Sequence, residues 1–124
     1  MPRYAFRVDV QPRFLPDQSA PDQHVWTFAY TITITNTGEV PAQLIARHWI
    51  ITDERGKTEE VRGLAVVGHQ PLLKPGEKFE YTSWTRLRTP QGTMRGTFFC
   101  MTEDARAFDA PVAEFMLAQR AALH

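Results

Sequence analysis

HVWTFAYTITITN, residues 24–36, decides the fold. Trp26, Phe28, Tyr30, Ile32 and Ile34 fall at every second position, and Val25, Thr27, Ala29, Thr31, Thr33 and Thr35 fill the places between. Side chains of an extended strand alternate across its two faces, so this period puts the large apolar set on one buried face. A helix would scatter the same five groups around its axis. Asn36-Thr37-Gly38-Glu39 then closes the strand with residues that accept positive φ.

The same period extends upstream and downstream. Residues 4–10 set Phe6, Val8 and Val10 against Arg7 and Asp9, which predicts a half-buried strand. Residues 11–23 carry Pro12, Pro16 and Pro21, which exclude a helix and predict a long surface loop that admits an extended piece. In residues 40–52, Leu44, Ala46, His48 and Ile50 share one face and Ile45, Arg47, Trp49 and Ile51 the other. Apolar groups on both faces predict a central strand, partly covered on both sides. Asp53-Glu54-Arg55-Gly56 is a tight turn, and the polar residues 57–62 return as a strand near an edge. Pro75-Gly76 suits the centre of a type II turn. Residues 78–87 and 93–101 add two strands, with Thr89-Pro90-Gln91-Gly92 turning between them. Residues 108–117 predict a last strand, with Pro111 at an edge or bulge. Residues 113–123 also have helix-forming composition, so a frayed or helical tail is expected after that strand. Strands roughly 8–12 residues apart, without a sustained helical period, predict an all-β sandwich in a single domain, residues 1–124.

Composition bounds the function. The 124 residues suffice for one core. Fourteen basic and 14 acidic side chains cancel. This gives no electrostatic basis for nucleic acid or an anionic membrane, and neither is expected as a partner. One cysteine, Cys100, permits no intramolecular disulfide and no CxxC zinc pair. Residues 1–6 lack the apolar region of a secretory leader, and no run is long enough to cross a bilayer. A reduced, cytoplasmic setting is the expectation.

Residues that carry chemistry are sparse. His24, His48, His69 and His124 show no metal-ligand spacing, and no metal site is expected. Asp53, Glu54, Glu59 and Glu60 could offer oxygens to magnesium or cobalt, but read as a solvated acidic hairpin. Ser83 lacks a glycine elbow, Ser19 lies among prolines, and Cys100 alternates with Phe98 as a small core residue. No catalytic residue, cofactor or enzyme activity is therefore expected. Arg47, Arg86, Arg88 and Arg95 are the cations available to phosphates or an acidic partner. Trp26, Trp49 and Trp84 read as core or boundary aromatics. Trp49 or Trp84 exposed beside Leu72 and Leu73 would mark a partner surface.

Several motifs stand in a characteristic order: Arg47-His48-Trp49-Ile50-Ile51-Thr52-Asp53, Val66-Val67-Gly68-His69-Gln70-Pro71, Leu73, Pro75-Gly76, Tyr81-Thr82-Ser83 and Thr89-Pro90-Gln91-Gly92-Thr93-Met94-Arg95-Gly96. With them the chain resembles the ApaG family over residues 4–117. The resemblance implies an immunoglobulin- or fibronectin type III-like β-sandwich, in a bacterial protein encoded beside a diadenosine tetraphosphate hydrolase. It also implies an association with cobalt and magnesium resistance. Related domains in F-box proteins and in a DNA polymerase delta-interacting protein imply a binding role.

The family's glycine-rich run, linked to pyrophosphate, corresponds to Gly63-Leu64-Ala65-Val66-Val67-Gly68, where Ala65 replaces the middle glycine. A dinucleotide fingerprint also needs a following helix to hold the phosphates. His69, Pro71 and Pro75-Gly76 cannot start one. Two readings remain. The favoured one is a pair of turns or bulges around a buried Val66-Val67 step. The other is a backbone anion nest with Gly63, Gly68 and His69 as pyrophosphate contacts. The expected function is a non-enzymatic protein-binding module using residues 63–76 with Arg47, Trp49, Trp84 and Arg95. The alternatives are nucleotide or diadenosine polyphosphate binding, or a role in cobalt and magnesium resistance. Unpaired strand edges admit a homodimer.

Overall fold

In a computed structural model that describes residues 4–119, the chain forms eight strands. They are β1 (Phe6–Phe14), β2 (Trp26–Asn36), β3 (Ala42–Asp53), β4 (Thr58–Leu64), β5 (Leu72–Leu73), β6 (Lys78–Leu87), β7 (Gln91–Thr102) and β8 (Ala107–Ala118). One antiparallel sheet has the order β1-β2-β6. The other runs β4-β3-β7-β8, with β5 paired to the start of β3. The two sheets pack face to face as a β-sandwich.

β2 delivers what its sequence promises. Phe28, Ile32 and Ile34 are fully buried, and Trp26 and Tyr30 nearly so. They meet Leu44, Trp49, Met94, Phe98, Cys100 and Leu117 from the other sheet. Tyr30 stands edge-on to Trp49 at 5.7 Å, and Trp49 edge-on to Phe98 at 5.6 Å, the geometry that aromatic quadrupoles favour. One flank of the sandwich is closed by Phe6 of β1, whose ring meets Phe108 of β8 edge-on at 5.4 Å.

β3 departs from the expected alternation. Its register against β7 shifts between Leu44 and Ala46, leaving Ile45 as the extra residue of a β-bulge. Before the bulge, Ala42 and Leu44 face the core; after it, Trp49 and Ile51 do. The two apolar faces read from the sequence are one inner face in two phases. Leu44 therefore does not share a face with Ala46, His48 and Ile50. The Ile45 carbonyl accepts hydrogen bonds from the Ala65 amide and the Gln70 side chain, both at 2.8–2.9 Å. The bulge thus anchors the chain after β4.

The proline-rich stretch is shorter than the predicted loop. β1 continues through Pro12 to Phe14, because Pro12 lies on an edge strand where one missing N–H donor is tolerated. Pro16–Gln18 and Pro21–Gln23 are single 3-10 turns, each with proline in its first turn. β8 carries Pro111 on the neighbouring edge of the other sheet, next to a register shift against β7. The predicted tail beyond residue 119 lies outside the described residues.

Candidate functional site

The chain leaving β4 makes a turn that few sequences would choose. Val66 and His69 exchange both backbone hydrogen bonds, at 2.8 and 2.9 Å, around Val67 and Gly68. Both central residues have positive φ, 49° and 80°, the sign pattern of a type I′ turn. Glycine adopts that conformation freely, but a β-branched residue does so only under constraint. Ala65 has φ 67° as well. Val66 plugs the core at 0% exposure, while Val67 stands 59% exposed. His69 packs its ring against Phe79 of β6 at 5.6 Å, which brings the turn across to the smaller sheet.

Beneath the turn, Arg47 enters the space between the sheets. It follows the bulge, so it shares the inner phase of β3 with Trp49. Its Nη1 donates to the carbonyls of Leu64 and Ala65, each at 2.8 Å. The guanidinium lies directly on Gly63, its cross-strand partner. A Cβ on Gly63 would come within 2.8–2.9 Å of three guanidinium atoms. Gly63 thus serves close approach of an arginine. Arg47, Tyr30, Trp49, Val66, Val67, Tyr81 and Ser83 enclose a cavity of about 220 Å³. Tyr30 and Ser83 face each other across β2 and β6, and the Tyr81 hydroxyl is buried with no partner among the described residues. Burial pushes both phenols up, well into the protonated form at neutral pH; the positive charge of Arg47 only partly offsets this.

A second feature lies on the outer face of the larger sheet. Leu64, Ala46 and Phe99 form one cross-strand row across β4, β3 and β7. Leu72, Gln43 and Met101 form the next row. Leu64 is 72% exposed, Leu72 52% and Phe99 38%. A groove of about 570 Å³ runs along the first row, lined also by His48, Arg62, Thr97 and Asp109. His48 Nε2 meets Glu60 Oε1 at 2.8 Å on its rim. That bond holds the Glu60 carboxyl below its ordinary range, with Arg62 a smaller contributor.

The profile of the ApaG domain matches residues 16–102 of this chain. The chain belongs to the ApaG family. It is 60% identical over 124 residues to Protein ApaG of Ralstonia nicotianae, covering 100% of both chains. It is 63% identical over 119 residues to Protein ApaG of an Acidovorax species, covering 94% of this chain and 87% of that one. The crystal structure of the ApaA protein from Bordetella pertussis is 58% identical. It superposes with a TM-score of 0.93, covering 95% of this chain and 96% of that one. These names carry no enzyme activity.

Within this ApaG fold the residues singled out from sequence do not converge. Arg47 lies between the sheets, Arg95 pairs with Ile50 on the outer face of the larger sheet, and Arg86 lies beyond Thr27 on the smaller one. Arg88 lies beside Asp53 and Lys57. Trp49 is 3% exposed, so it is a core residue and not a partner contact. Trp84 is 58% exposed, but it lies opposite Ala29, away from Leu72, and Arg86 stacks on its ring at 5.0 Å. Leu73 is buried. Gly68 is exposed at the turn, His69 packs on Phe79 and Gly63 lies against the Arg47 guanidinium, so none of the three lines the cavity. The amides of Ala65, Val66 and His69 are already spent on Ile45, His69 and Val66, which leaves the 63–68 run few donors for an anion nest.

The acidic hairpin is largely committed to turns. Asp53 accepts from the amides of Arg55 and Lys57, and Glu54 from that of Gln91. Among the described residues no three His, Cys, Asp or Glu side chains are placed to hold a metal ion. Likewise, no described helix is long and apolar enough to cross a membrane. Ser19 bridges Leu15 and Thr27. Cys100 is fully buried, and desolvation, aided by Asp109, pushes its thiol up to about 12. Sequence reading missed Tyr30, Tyr81 and Ser83 as partners of Arg47. The signal was present only as polar groups at inner-face positions of β2 and β6.

Proposed function

We propose that this chain is a non-enzymatic binding module that docks a protein partner on the outer face of its larger sheet. One observation carries the reading: the exposed cross-strand row Leu64–Ala46–Phe99, continued by Leu72 and Met101. Singly exposed apolar side chains are ordinary, but contiguous rows with a charged rim match the anatomy of a protein interface. The rim carries both signs, with Arg62 near Glu60 and Asp109. It would orient a partner without favouring polyanions. The lone buried thiol of Cys100 fits a reduced, cytoplasmic setting.

The test is crosslinking in cells followed by affinity capture, comparing wild type with a Leu64→Ser/Phe99→Ser double variant. Removing both anchors forfeits roughly 1–2 kcal/mol each, together about a 30- to 700-fold loss of affinity. The reading expects one specific protein crosslinked to wild type and absent from the variant. A wild type that retains nothing beyond a mock bait, or a variant that retains the same protein equally, refutes it. Sedimentation velocity on both proteins separates a foreign partner from self-association through the same face.

A further inference from the structure

We infer that the inter-sheet cavity formed by Arg47, Tyr81, Tyr30 and Ser83, beneath the Val66–His69 turn, binds a compact oxyanion of phosphate size. This site shares Arg47 with the lining of the outer groove, but it uses none of the exposed apolar row that carries the protein-docking reading.

Three observations carry it. The first is charge. The ion pairs among the described residues join Arg7 to Asp9, His48 and Arg62 to Glu60, and Arg106 to Asp104. Arg47 is half-buried yet has none, and only its Nη1 is engaged, by two backbone carbonyls. A partly desolvated guanidinium without an anionic partner is costly, and a bidentate oxyanion is the group it matches best.

The second is the donor set. Tyr81 is 8% exposed, and its hydroxyl faces the cavity unpartnered. Buried hydroxyls normally have partners, so an orphan one calls for a ligand. Tyr30 and Ser83 add hydroxyls at the same wall. With Arg47 the polar side chains of the wall can all donate, and no carboxylate is among them. Such a set suits phosphate and repels nothing but a cation.

The third is construction. Arg47 reaches the cavity because the Ile45 bulge turns it inward and Gly63 leaves room for its guanidinium. The strained Val67 closes the roof. Strain of this kind persists where the surrounding structure imposes it and clusters at ligand sites. The volume of about 220 Å³ accepts a single phosphoryl group with water, while a base and sugar would remain outside.

The experiment is thermal denaturation and amide NMR of wild type, Tyr81→Phe and Arg47→Met. The probes are millimolar inorganic phosphate and glycerol phosphate, against sodium chloride of equal ionic strength. Tyr81→Phe removes only the orphan hydroxyl, so it should fold at least as stably as wild type. Expected are a phosphate-specific rise in wild-type Tm and shifts at the amides of Val66, Val67 and Gly68. Tyr81→Phe should bind about 10-fold more weakly, the worth of one hydrogen bond to a charged group. Arg47→Met should lose the response. Phosphate alone acting marks a free anion; glycerol phosphate acting equally marks the terminal phosphoryl group of an ester. No response in wild type, or an equal one in Tyr81→Phe, overturns the site.

Discussion

Val67→Asn should stabilise this protein, although it replaces an apolar residue by a polar one. Val67 sits at φ 49°, the first central position of a two-residue turn whose second is Gly68 at φ 80°. A left-handed conformation costs an ordinary L-residue roughly 1–2 kcal/mol, and asparagine considerably less. Against this stands lost burial. Val67 is 59% exposed, so about two-fifths of its surface is covered. At about 1.5 kcal/mol for full burial of valine, that is roughly 0.6 kcal/mol, and asparagine recovers part of it. The balance favours the variant by about 1 kcal/mol. With an unfolding entropy of about 2.1 cal/mol/K per residue, a chain of this length gains about 4 °C in Tm. Companion variants isolate the cause. Val67→Ala keeps most of the backbone penalty and loses contacts, so it should melt slightly below wild type. Val67→Gly relieves the backbone but gains unfolded-state entropy of roughly 0.5–1 kcal/mol, so it should fall near wild type. Calorimetry on the series gives the order Asn, then Gly and wild type, then Ala. A Val67→Asn variant that melts below wild type refutes the claim of strain.

Gly96→Ala should cost roughly 2–4 kcal/mol, read as a urea midpoint shift, because the added methyl would strike the His48 carbonyl and the Trp49 ring, 2.6 Å from its Cε3. Asn36→Ala should cost about 2–4 kcal/mol in the same assay: the buried amide donates to the Val40 and Leu73 carbonyls at 2.8–2.9 Å and accepts from the Gly38 amide, and all three would lose their partner. Cys100 should resist alkylation at pH 8 in the native state and react promptly in urea. Its folded pKa of about 12 exceeds the usual thiol value near ~8.5, so the stability it lends is full below that value and is lost as pH rises toward 12. Rapid native labelling at pH 8 would contradict the burial assigned to it.

β2 was legible because its signal is local: one residue in two is large and apolar, and one sheet face is buried. The Lys74-Pro75-Gly76-Glu77 turn was legible for the same reason. It closes with a Glu77 amide to Lys74 carbonyl bond at 2.9 Å, and Gly76 has φ 86° at the position where a type II turn requires it. β3 was not. Its bulge leaves no mark in a window of alternating apolar residues, yet it decides that Arg47 points inward and His48 outward. The run Pro12 to Phe14 misled because a proline excludes a central strand but not an edge, and edge position is a property of the sheet.

The sequence by itself determined most of the strands and turns, the all-β class and the family, since each rests on short-range periodicity or on motifs in order; the short β5 and the end of β1 were not among them. The tertiary structure alone decided which side chains meet. It buried Trp49 and exposed Trp84, spent the amides of the 63–68 run within the chain, and gathered Arg47, Tyr30, Tyr81 and Ser83 from three strands into one cavity. The physical reason is that facing depends on bulges and inter-sheet packing, which link residues far apart in the chain.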